Sequence, residues 1–469
     1  MEPRLKLPAP LVVNSFAKMP IIPKAAAALG QRSLVFAAPL SHSKFSLDTS
    51  GVAGVFGGEE AVSAMATVHV YEHRKWLGWY NSPGSYEIAQ RYGRLARSKF
   101  FDGLFPGVHT DPATLFELDG MKGPKFRAAH SGTVINETGH LAALFVKECA
   151  DLEHVEKIPG RVTTQVGVTI ADLSHIPEHE HRPAQFRTLA PVYASVPIFI
   201  SIGTCTASVL SGDWYASAMI LLGILVSGYS CLVIGSGSLL FTHPKPAEAS
   251  PPGDGVLAAD QDIVILRGDE GAVNTITRGR FSLQFKSEPY YSNIGWCSVL
   301  LMVQFIAQLL LIPQANLFGQ IMFVVSLAVS WAYNLWLSSF DKEAIQLRIL
   351  KDNILRHPKL TKYMLGTRTS MAVFVLLVLQ ADVEEAGKIM DVLLPNDTKV
   401  WRKWKATVIS RIKSEKGFEI DVPDWELPQF TAKEKELLNT LFNDARDAYH
   451  GFRRYQSTSQ DLTHDTHKF

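Results

Sequence analysis

The sequence has few cysteines and no excess of either charge. Four cysteines occur in 469 residues: Cys205, Cys231 and Cys297 lie inside apolar runs, and Cys149 lies in a polar segment. Such a set builds no disulfide framework and indicates no oxidising compartment. The 46 basic and 45 acidic residues leave a net charge of +1, whereas a general nucleic-acid binder has a basic footprint. We therefore expect no nucleic acid among the partners.

Standard catalytic and cofactor signatures are also missing. The sequence contains no P-loop, no Gly-x-Ser-x-Gly elbow, no His-Glu-x-x-His motif and no EF-hand loop. The glycine-rich stretch 51–58 follows no strong strand pattern, so it does not indicate a dinucleotide site. We predict no catalytic residue and no cofactor, and an enzyme is the less favoured interpretation.

Charge is entirely absent from four long apolar runs. They cover about residues 189–210, 214–241, 293–313 and 317–340, and none contains Asp, Glu, Lys, Arg or His. Crossing about 30 Å of hydrocarbon takes roughly 20 apolar residues in a helix, because lipid offers the backbone no hydrogen-bond partners. The sequence therefore predicts four transmembrane helices in a mainly α membrane protein.

The connections between these runs predict a topology. Only residues 211–213 join the first run to the second, and only 314–316 join the third to the fourth, so each pair is predicted to form a tight hairpin. These two loops have no Lys or Arg, whereas basic residues flank the other ends of the runs. The positive-inside rule then places both termini and the central loop in the cytosol. The lipid bilayer is the first expected partner, and which membrane it is stays open.

Composition divides the rest of the chain into mixed α/β cytosolic regions and loose ends. The N-terminal arm is basic and Ala-rich like a mitochondrial presequence, but its prolines would break the helix that a presequence needs. The predicted segments are a disordered arm (1–60), an N-terminal α/β region (61–188), a first transmembrane hairpin (189–241), a linker with a β-hairpin (242–292), a second transmembrane hairpin (293–340), a helical C-terminal region (341–455) and a flexible tail (456–469).

Local patterns predict several elements inside the cytosolic regions. Residues 66–71 and 166–170 alternate like strands, and 140–149 has the pattern of a short helix. Two β-rich runs, 262–267 and 273–285, flank a Gly-Asp-Glu-Gly turn and predict the β-hairpin.

Two further patterns fall in the C-terminal region. The apolar run 371–379 is too short to span a bilayer and is typical of a buried core element or an interfacial helix, with a fifth span as the alternative. Thr431 and Glu434 have the spacing of a capping box that opens a helix.

Small and polar residues recur every four positions on two of the apolar runs. Small residues let transmembrane helices approach closely, so the stripes predict helix packing, although a polar pore would use the same residue types. No titratable group lies in the four runs, which argues against ion-coupled transport. The stripes are Gly223, Ser227, Cys231 and Gly235 on the second run, and Ser326, Ser330, Asn334 and Ser338 on the fourth.

A histidine-rich stretch precedes the first run. His175, His179 and His181 alternate with carboxylates there, and imidazole with carboxylate can ligate zinc or another divalent metal. The spacing matches no helical metal motif, and Pro177 and Pro183 imply a loop. A solvated linker is therefore the favoured interpretation, and a metal site is the alternative.

Residues 399–416 carry seven basic residues and one acidic residue, with tryptophans at helical spacing. A basic amphipathic helix of this kind is typical of a helix lying on an anionic leaflet. An ordinary helix docked on its own domain is the alternative. The predicted contacts with anionic headgroups are Trp401, Arg402, Lys403, Trp404 and Lys405.

These observations leave three hypotheses for the function. The first is a non-enzymatic membrane-anchored scaffold or adaptor with cytosolic domains, because the helices are uncharged and the cytosolic share is large. The second is a channel or facilitative transporter subunit, which would be a homo-oligomer because four helices enclose little space. The third is a membrane-bound enzyme with a cytosolic site.

Overall fold

The computed structural model describes residues 40, 56–107, 109–153, 155–187, 189–259, 262–412, 418 and 430–465. It is 56% helical and combines long apolar helices with mixed α/β regions. Most of the predicted disordered arm lies outside the described residues. The predicted flexible tail is helical as far as Asp465.

In the described part of the chain, the helices and strands follow one another with three short 3-10 turns and one π-helical turn between them. The helices are α1 (Gly58–Ala66), α2 (Ser85–Gly93), α3 (Lys99–Leu104), α4 (Pro112–Leu115), α5 (His140–Ala150), α6 (Ala190–Leu210), α7 (Trp214–Ile234), α8 (Glu270–Thr277), α9 (Ser292–Leu311), α10 (Leu317–Ser338), α11 (Lys342–Arg348), α12 (Arg368–Leu379), α13 (Val383–Leu393), α14 (Lys399–Ile412) and α15 (Ala432–Asp465). The strands are β1 (Lys125–Ala128), β2 (Val134–Ile135), β3 (Val155–Lys157), β4 (Val166–Leu173), β5 (Glu180–His181), β6 (Ser238–Thr242), β7 (Gly255–Ala258), β8 (Asp262–Gly268), β9 (Arg280–Gln284) and β10 (Lys359–Leu365).

Among the described residues, four helices are long and apolar enough to cross a membrane, in agreement with the sequence prediction. The apolar stretches are Val192–Leu210 in α6, Trp214–Ile234 in α7, Ser292–Gln314 in and just after α9, and Leu317–Ser338 in α10. We call the end that carries the two short connections the loop end, and the opposite end the domain end. At the loop end the carboxylate of Asp213 accepts hydrogen bonds from the N–H groups of Ala216, at 3.1 Å, and Asn316, at 2.7 Å. This side chain therefore caps α7 and joins the two connections.

The four helices form part of a ring of six helices, which the sequence did not predict. α6 packs on α7, α7 on α9, α9 on α2, α2 on α1, α1 on α10, and α10 on α6. The helices α9 and α10 are consecutive, yet they do not pack along each other, because α2 and α1 lie between them. The tight second hairpin is therefore wrong for this pair.

The N-terminal part of the ring also corrects the strand predicted at 66–71. Its first residue ends α1, and a 3-10 turn follows at Thr67–His69. The N–H groups of Val70 and Tyr71 donate to Thr67 O at 3.2 and 3.0 Å, which continues the helical path. The apolar and polar positions from Thr67 to Tyr71 are all buried, so the alternation does not mark a strand with one solvent-facing side.

Outside the ring, a seven-stranded mixed sheet gathers strands from distant parts of the sequence. Its order is β2-β1-β7-β8-β4-β10-β3, with β4 parallel to β8 and β10 parallel to β3. Strands β1 to β4 come from the N-terminal region, β7 and β8 from the central segment, and β10 from the C-terminal region. The strand predicted at 166–170 is confirmed as β4, which is buried along nearly its whole length, as expected for a central strand covered on both faces.

Helices cover both faces of this sheet. α12, α13, α14 and α15 share one hydrophobic core with it, and α5 and α8 contribute to a second core that extends into α1 and α2. Residues 369–379 of α12 are all buried, so the run 371–379 is a core helix. The helix predicted at 140–149 is confirmed as α5, and Thr431 and Glu434 form the predicted capping box, with bonds of 2.7 Å and 3.3 Å to each other's backbone N–H groups.

The β-hairpin predicted in the central segment is wrong. β8 pairs with β7 and β4, whereas β9 belongs to a separate three-stranded sheet of order β5-β6-β9. The turn between them is the start of α8. The hydroxyls of Thr275 and Thr277 donate hydrogen bonds to the carbonyl oxygens of Gly271 and Val273, each at 3.0 Å. These β-favouring residues are therefore accommodated in a helix.

Candidate functional site: a polar segment inside the helical ring

Residues 71–84 lead from the turn after α1 to the start of α2, and their buried side chains lie in the interior of the ring. Toward the loop end, α7 and α10 pack directly on each other. We call residues 71–84 the plug. It contains Arg74, Tyr80, Asn81 and Ser82, all of them buried. A polar stretch of the N-terminal region therefore lies among apolar helices.

The small-residue stripe of α7 faces the plug. A Cβ atom added at Gly223 would lie 1.9 Å from Asn81 Oδ1, and one at Gly235 would lie 2.5 Å from Lys75 Cβ. In turn, a Cβ atom added at Gly78 of the plug would lie 2.3 Å from Cys231 Cβ and 3.2 Å from the carbonyl oxygen of Ser227. The four predicted packing residues are brought together, but their partner is an inserted segment.

The stripe of α10 faces the plug from the other side. Asn81 Nδ2 donates to Ser326 Oγ at 2.8 Å. Asn334 accepts from Tyr80 OH at 2.9 Å and donates to Ser82 Oγ at 3.1 Å. Ser330 is buried, and its hydroxyl has no hydrogen-bond partner among the described residues. Ser338, about two turns beyond Ser330, bonds to Leu335 O of its own helix and lies outside the plug contacts.

Asn81 contacts four helices. Besides Ser326, its backbone N–H donates to Ser201 Oγ at 3.0 Å, and its Oδ1 accepts from Gln308 Nε2 at 3.4 Å. Ser201, Gly223 and Ser326 each lie nine positions from the loop end of their own helix, which is about 14 Å at 1.5 Å per residue. Asn81 therefore sits near the middle of the bundle.

Arg74 is a cation buried between the plug and the carboxyl halves of α7 and α10. It is 2% exposed and donates to Tyr80 OH at 3.1 Å and to Cys231 Sγ at 3.4 Å. The ring centre of Tyr333 is 5.6 Å from its Cζ, a cation–π distance. No carboxylate pairs with it in the described part of the chain. The partial negative charge at the ends of both helices compensates part of its charge.

A cavity of 440 Å³ lies on the outer side of α1 and α2, and we call it the lateral cavity. The inward faces of both helices are buried, for example at Ala64 and Ile88, whereas the cavity walls include the exposed Glu59 and Arg94. Its lining residues are Glu59, Val62, Ser63, Glu87, Gln90, Arg91, Arg94 and Glu117.

The charges of this cavity are only partly paired. Glu117 bonds to Lys342 Nζ at 2.7 Å and to Arg91 Nη2 at 3.3 Å. Partial burial acts to raise the pKa of Glu117, but the hydrogen bond from Lys342 and the charges of Lys342 and Arg91 hold it below its ordinary value. Within the described ranges, Glu59, Glu87 and Arg94 form no ion pair. The lateral cavity can therefore accept groups of both signs.

A second cleft lies at the carboxyl ends of the parallel strands β4 and β8, where ligands of open α/β sheets commonly bind. Two adjoining pockets of 360 and 380 Å³ share Asp254 and Arg267. Arg267 is 3.4 Å from Asp172, and Asp254 accepts from the N–H of Gly268 at 2.7 Å. We call this feature the strand-end cleft.

The predicted metal candidates do not form a metal site. His179 bonds through Nδ1 to the carbonyl oxygen of His243, and His181 lies in β5. Across the described ranges, no group of three His, Cys, Asp or Glu side chains is placed to hold a metal ion. His175 lies in a stretch without regular secondary structure between β4 and β5.

The predicted membrane-surface helix is docked on its own domain. Trp404 is fully buried and donates Nε1–H to Leu441 O at 3.0 Å. Lys405 donates to Leu394 O at 2.6 Å and to Asp391 at 2.7 Å. These contacts remove Trp404 and Lys405 from the set predicted to contact headgroups, because a side chain inside the domain core cannot reach lipid.

The remaining members of that set lie nearer the surface. Arg402 is exposed and forms two hydrogen bonds with Asp397, at 2.6 and 2.9 Å. Trp401 and Lys403 are half-buried. Their contact with anionic headgroups stays a prediction.

Sequence reasoning missed the plug and the lateral cavity, because their charged residues lie outside the four apolar runs. One signal was present: glycines at 57, 58, 78 and 84 punctuate this region. In the structure a Cβ added at any of them would meet a neighbouring residue within 2.7 Å, so these glycines mark close packing.

Comparison with protein-family models, with curated proteins and with solved structures finds no match to this chain. The function is therefore argued from the geometry alone.

Proposed function

We propose that this protein is a multi-pass membrane protein that holds one α/β domain at the cytosolic face of a membrane and serves there as a non-enzymatic adaptor for partners. The observation that carries the proposal is the seven-stranded sheet. Its strands come from all three polar segments that surround the apolar helices.

Insertion of the helices is supported by their outer faces. Large apolar side chains are exposed along them, including Phe199, which is 72% exposed, and Leu310, which is 62% exposed. Exposing an apolar surface of this kind to water is unfavourable, whereas contact with lipid is not. Trp214 and Tyr215 lie at the loop end, and Tyr193 and Trp296 lie toward the domain end, which fits the aromatic belts of membrane proteins.

The sheet indicates that the three polar segments lie on the same side of the membrane, because their strands hydrogen-bond to one another. This arrangement agrees with the basic residues that flank the domain ends of the helices. The sheet supports a common side for the three polar segments, and the flanking basic residues favour the cytosol as that side. In this topology the short connections lie on the other side.

The filled interior favours an adaptor over a channel. Asn81, Tyr80 and Arg74 occupy the space between the helices, and their side chains bond to α7 and α10. A conducting path needs a continuous polar lumen, whereas this interior is packed by the chain itself.

Cysteine labelling in sealed vesicles tests the topology. We expect Ala150→Cys and Ala406→Cys, both exposed in the soluble domain, to react with an impermeant maleimide from one side only. Trp214→Cys and Gln314→Cys, at the loop end, should react only from the other. Labelling of all four cysteines from the same side would contradict the proposed membrane topology.

Flux measurements separate the adaptor from the channel. Liposomes containing the purified protein should release trapped ions and small solutes no faster than empty liposomes. Release that depends on the protein would favour a channel or facilitative transporter subunit. A homo-oligomer stays a prediction in either case.

The strand-end cleft gives a specific reason to keep a membrane-bound enzyme as a second candidate. It brings Asp172 from the N-terminal region, Asp254 and Arg267 from the central segment, and Tyr455 from the C-terminal region into one place. Screening for a small molecule that raises the unfolding temperature of the wild type but not of Asp254→Asn would favour this candidate. Equal shifts in both proteins would count against it.

A further inference from the structure

We infer that the lateral cavity binds the headgroup of a zwitterionic phospholipid from the cytosolic leaflet. This inference rests on the proposed membrane insertion. It adds a ligand class and a site that the adaptor proposal does not contain.

The position of the cavity makes lipid its neighbour. The cavity lies on the outer side of α1 and α2, which the ring places between α9 and α10. Both of these helices carry exposed apolar residues, such as Leu300, Val303 and Leu335. The ring of Tyr86, which precedes Glu87, packs at a tilt against Phe305, with a ring-centre distance of 5.1 Å. Phe305 lies about 20 Å along α9 from its first residue, so the cavity extends from the middle of the bundle toward the domain end.

Unpaired charges at this level need a partner. Glu59, Glu87 and Arg94 form no ion pair among the described residues, and Arg91 Nε, buried in the wall, has no hydrogen-bond partner there. Charged groups at membrane depth are costly unless they are paired or hydrated, and they mark functional sites. The cavity therefore calls for a ligand that is both polar and present in the membrane.

The two signs of charge select the ligand. A free anion would satisfy the guanidinium groups and leave Glu59 and Glu87 without a partner, and a metal cation would leave Arg94 without one. A headgroup with an ammonium and a phosphate satisfies both, with the ammonium on the carboxylates and the phosphate on the guanidinium groups. The volume of 440 Å³ lies within the range of small-molecule sites.

The inference is tested by measuring how strongly the protein restricts the motion of different spin-labelled lipids. The full-length protein is reconstituted into bilayers that contain spin-labelled phosphatidylethanolamine or spin-labelled phosphatidylglycerol, and the motionally restricted fraction of each probe is measured. We expect the wild type to favour phosphatidylethanolamine at least threefold. The double variant Glu59→Gln/Glu87→Gln and the variant Arg94→Gln should lose this preference.

Matched controls carry the same chemical changes far from the cavity. Glu436→Gln and Arg446→Gln, both exposed on α15, should keep the wild-type preference. Equal restriction of both probes by the wild type, or an unchanged preference in the cavity variants, would overturn the inference. So would a disulfide between two copies through Ser63→Cys, because the cavity would then be covered by a second copy.

Membrane extraction separates this inference from the adaptor proposal. Alkaline carbonate should leave the wild type and every variant in the membrane fraction. A protein that resists extraction but has no lipid preference contradicts the cavity inference only. A wild type released by carbonate contradicts membrane insertion and the lipid site together.

Discussion

Single residues of the plug act through close contact and hydrogen bonding. Asn81 reaches Ser201, Ser326 and Gln308, and the absence of a side chain at Gly223 leaves room for it. Buried polar groups are stable only when they are hydrogen-bonded. The contacts of Asn81 therefore determine how closely the helices can approach the plug.

Replacing Gly223 by alanine tests this contact. The new Cβ would lie 1.9 Å from Asn81 Oδ1, so Gly223→Ala should lower the free energy of unfolding in detergent by about 1–3 kcal/mol, the usual cost of overpacking. Gly203→Ala is the matched control on α6, because nothing lies within 4 Å of its Cβ position. An equal loss in both variants would contradict the role of the contact.

His69 predicts a pH dependence. Burial lowers its pKa from 6.5 to about 4; its bond to Gly237 opposes this shift, and the charge of Lys75 adds to it. Since the unfolded chain takes up the proton near pH 6.5 and the folded chain does so only near pH 4, stability should be lost as the pH falls through this window. The full loss is about 3 kcal/mol, at 1.36 kcal/mol per pKa unit.

The variant His69→Phe isolates this effect. It keeps an aromatic ring beside Phe116 and Phe285 and removes the titrating group. Between pH 7 and pH 4, denaturant unfolding should show a smaller loss of stability for His69→Phe than for the wild type. The control His73→Gln should lose as much stability as the wild type, because the His73 side chain is 71% exposed. Parallel curves for the wild type and His69→Phe would contradict the assignment.

At the scale of elements, the same sequence pattern has different outcomes in different surroundings. The stripes on α7 and α10 were predicted from their spacing, and the structure places most of their residues against one segment. The amphipathic pattern of 399–416 correctly indicates a helix, but Trp404 packs inside the domain. Periodicity defines which residues share a face, whereas the partner of that face depends on the rest of the chain.

Truncating the two tryptophans of α14 distinguishes docking from membrane contact. Trp404→Ala should cost about 3–5 kcal/mol of unfolding free energy, as expected for a large buried aromatic side chain, and it also removes the hydrogen bond from Trp404 Nε1 to Leu441 O. Trp401→Ala, at a half-buried position, should cost clearly less. Chemical denaturation in detergent provides the comparison. A loss of less than about 1 kcal/mol for Trp404→Ala would contradict docking and favour contact of α14 with the membrane surface.

At the scale of the whole molecule, the sheet makes one domain from three segments. β4 lies between β8 and β10, so the N-terminal region is bonded to both the central segment and the C-terminal region. The ion pair of Arg161 with the buried Asp444, at 2.6 Å, adds a further link between the first region and α15. We therefore expect the polar segments to fold as one cooperative unit.

Hydrogen exchange tests this cooperativity. With added denaturant, the amides of β1, β8 and β10 should converge on one opening free energy, because they belong to one cooperative unit. Ile265→Ala, a fully buried truncation in β8, should lower it by about 2–5 kcal/mol in all three strands. A loss confined to β8 would mean that the segments open independently.

The sequence by itself determined four apolar helices, their short connections and several local elements, because length, missing charge and periodicity are properties of contiguous residues. Only the tertiary structure decided where the polar segments go. The plug, the lateral cavity and the sheet depend on contacts between residues far apart in the chain, such as Asn81 with Ser326 and β4 with β8. Such contacts follow from the packing of surfaces in space, which no local pattern encodes.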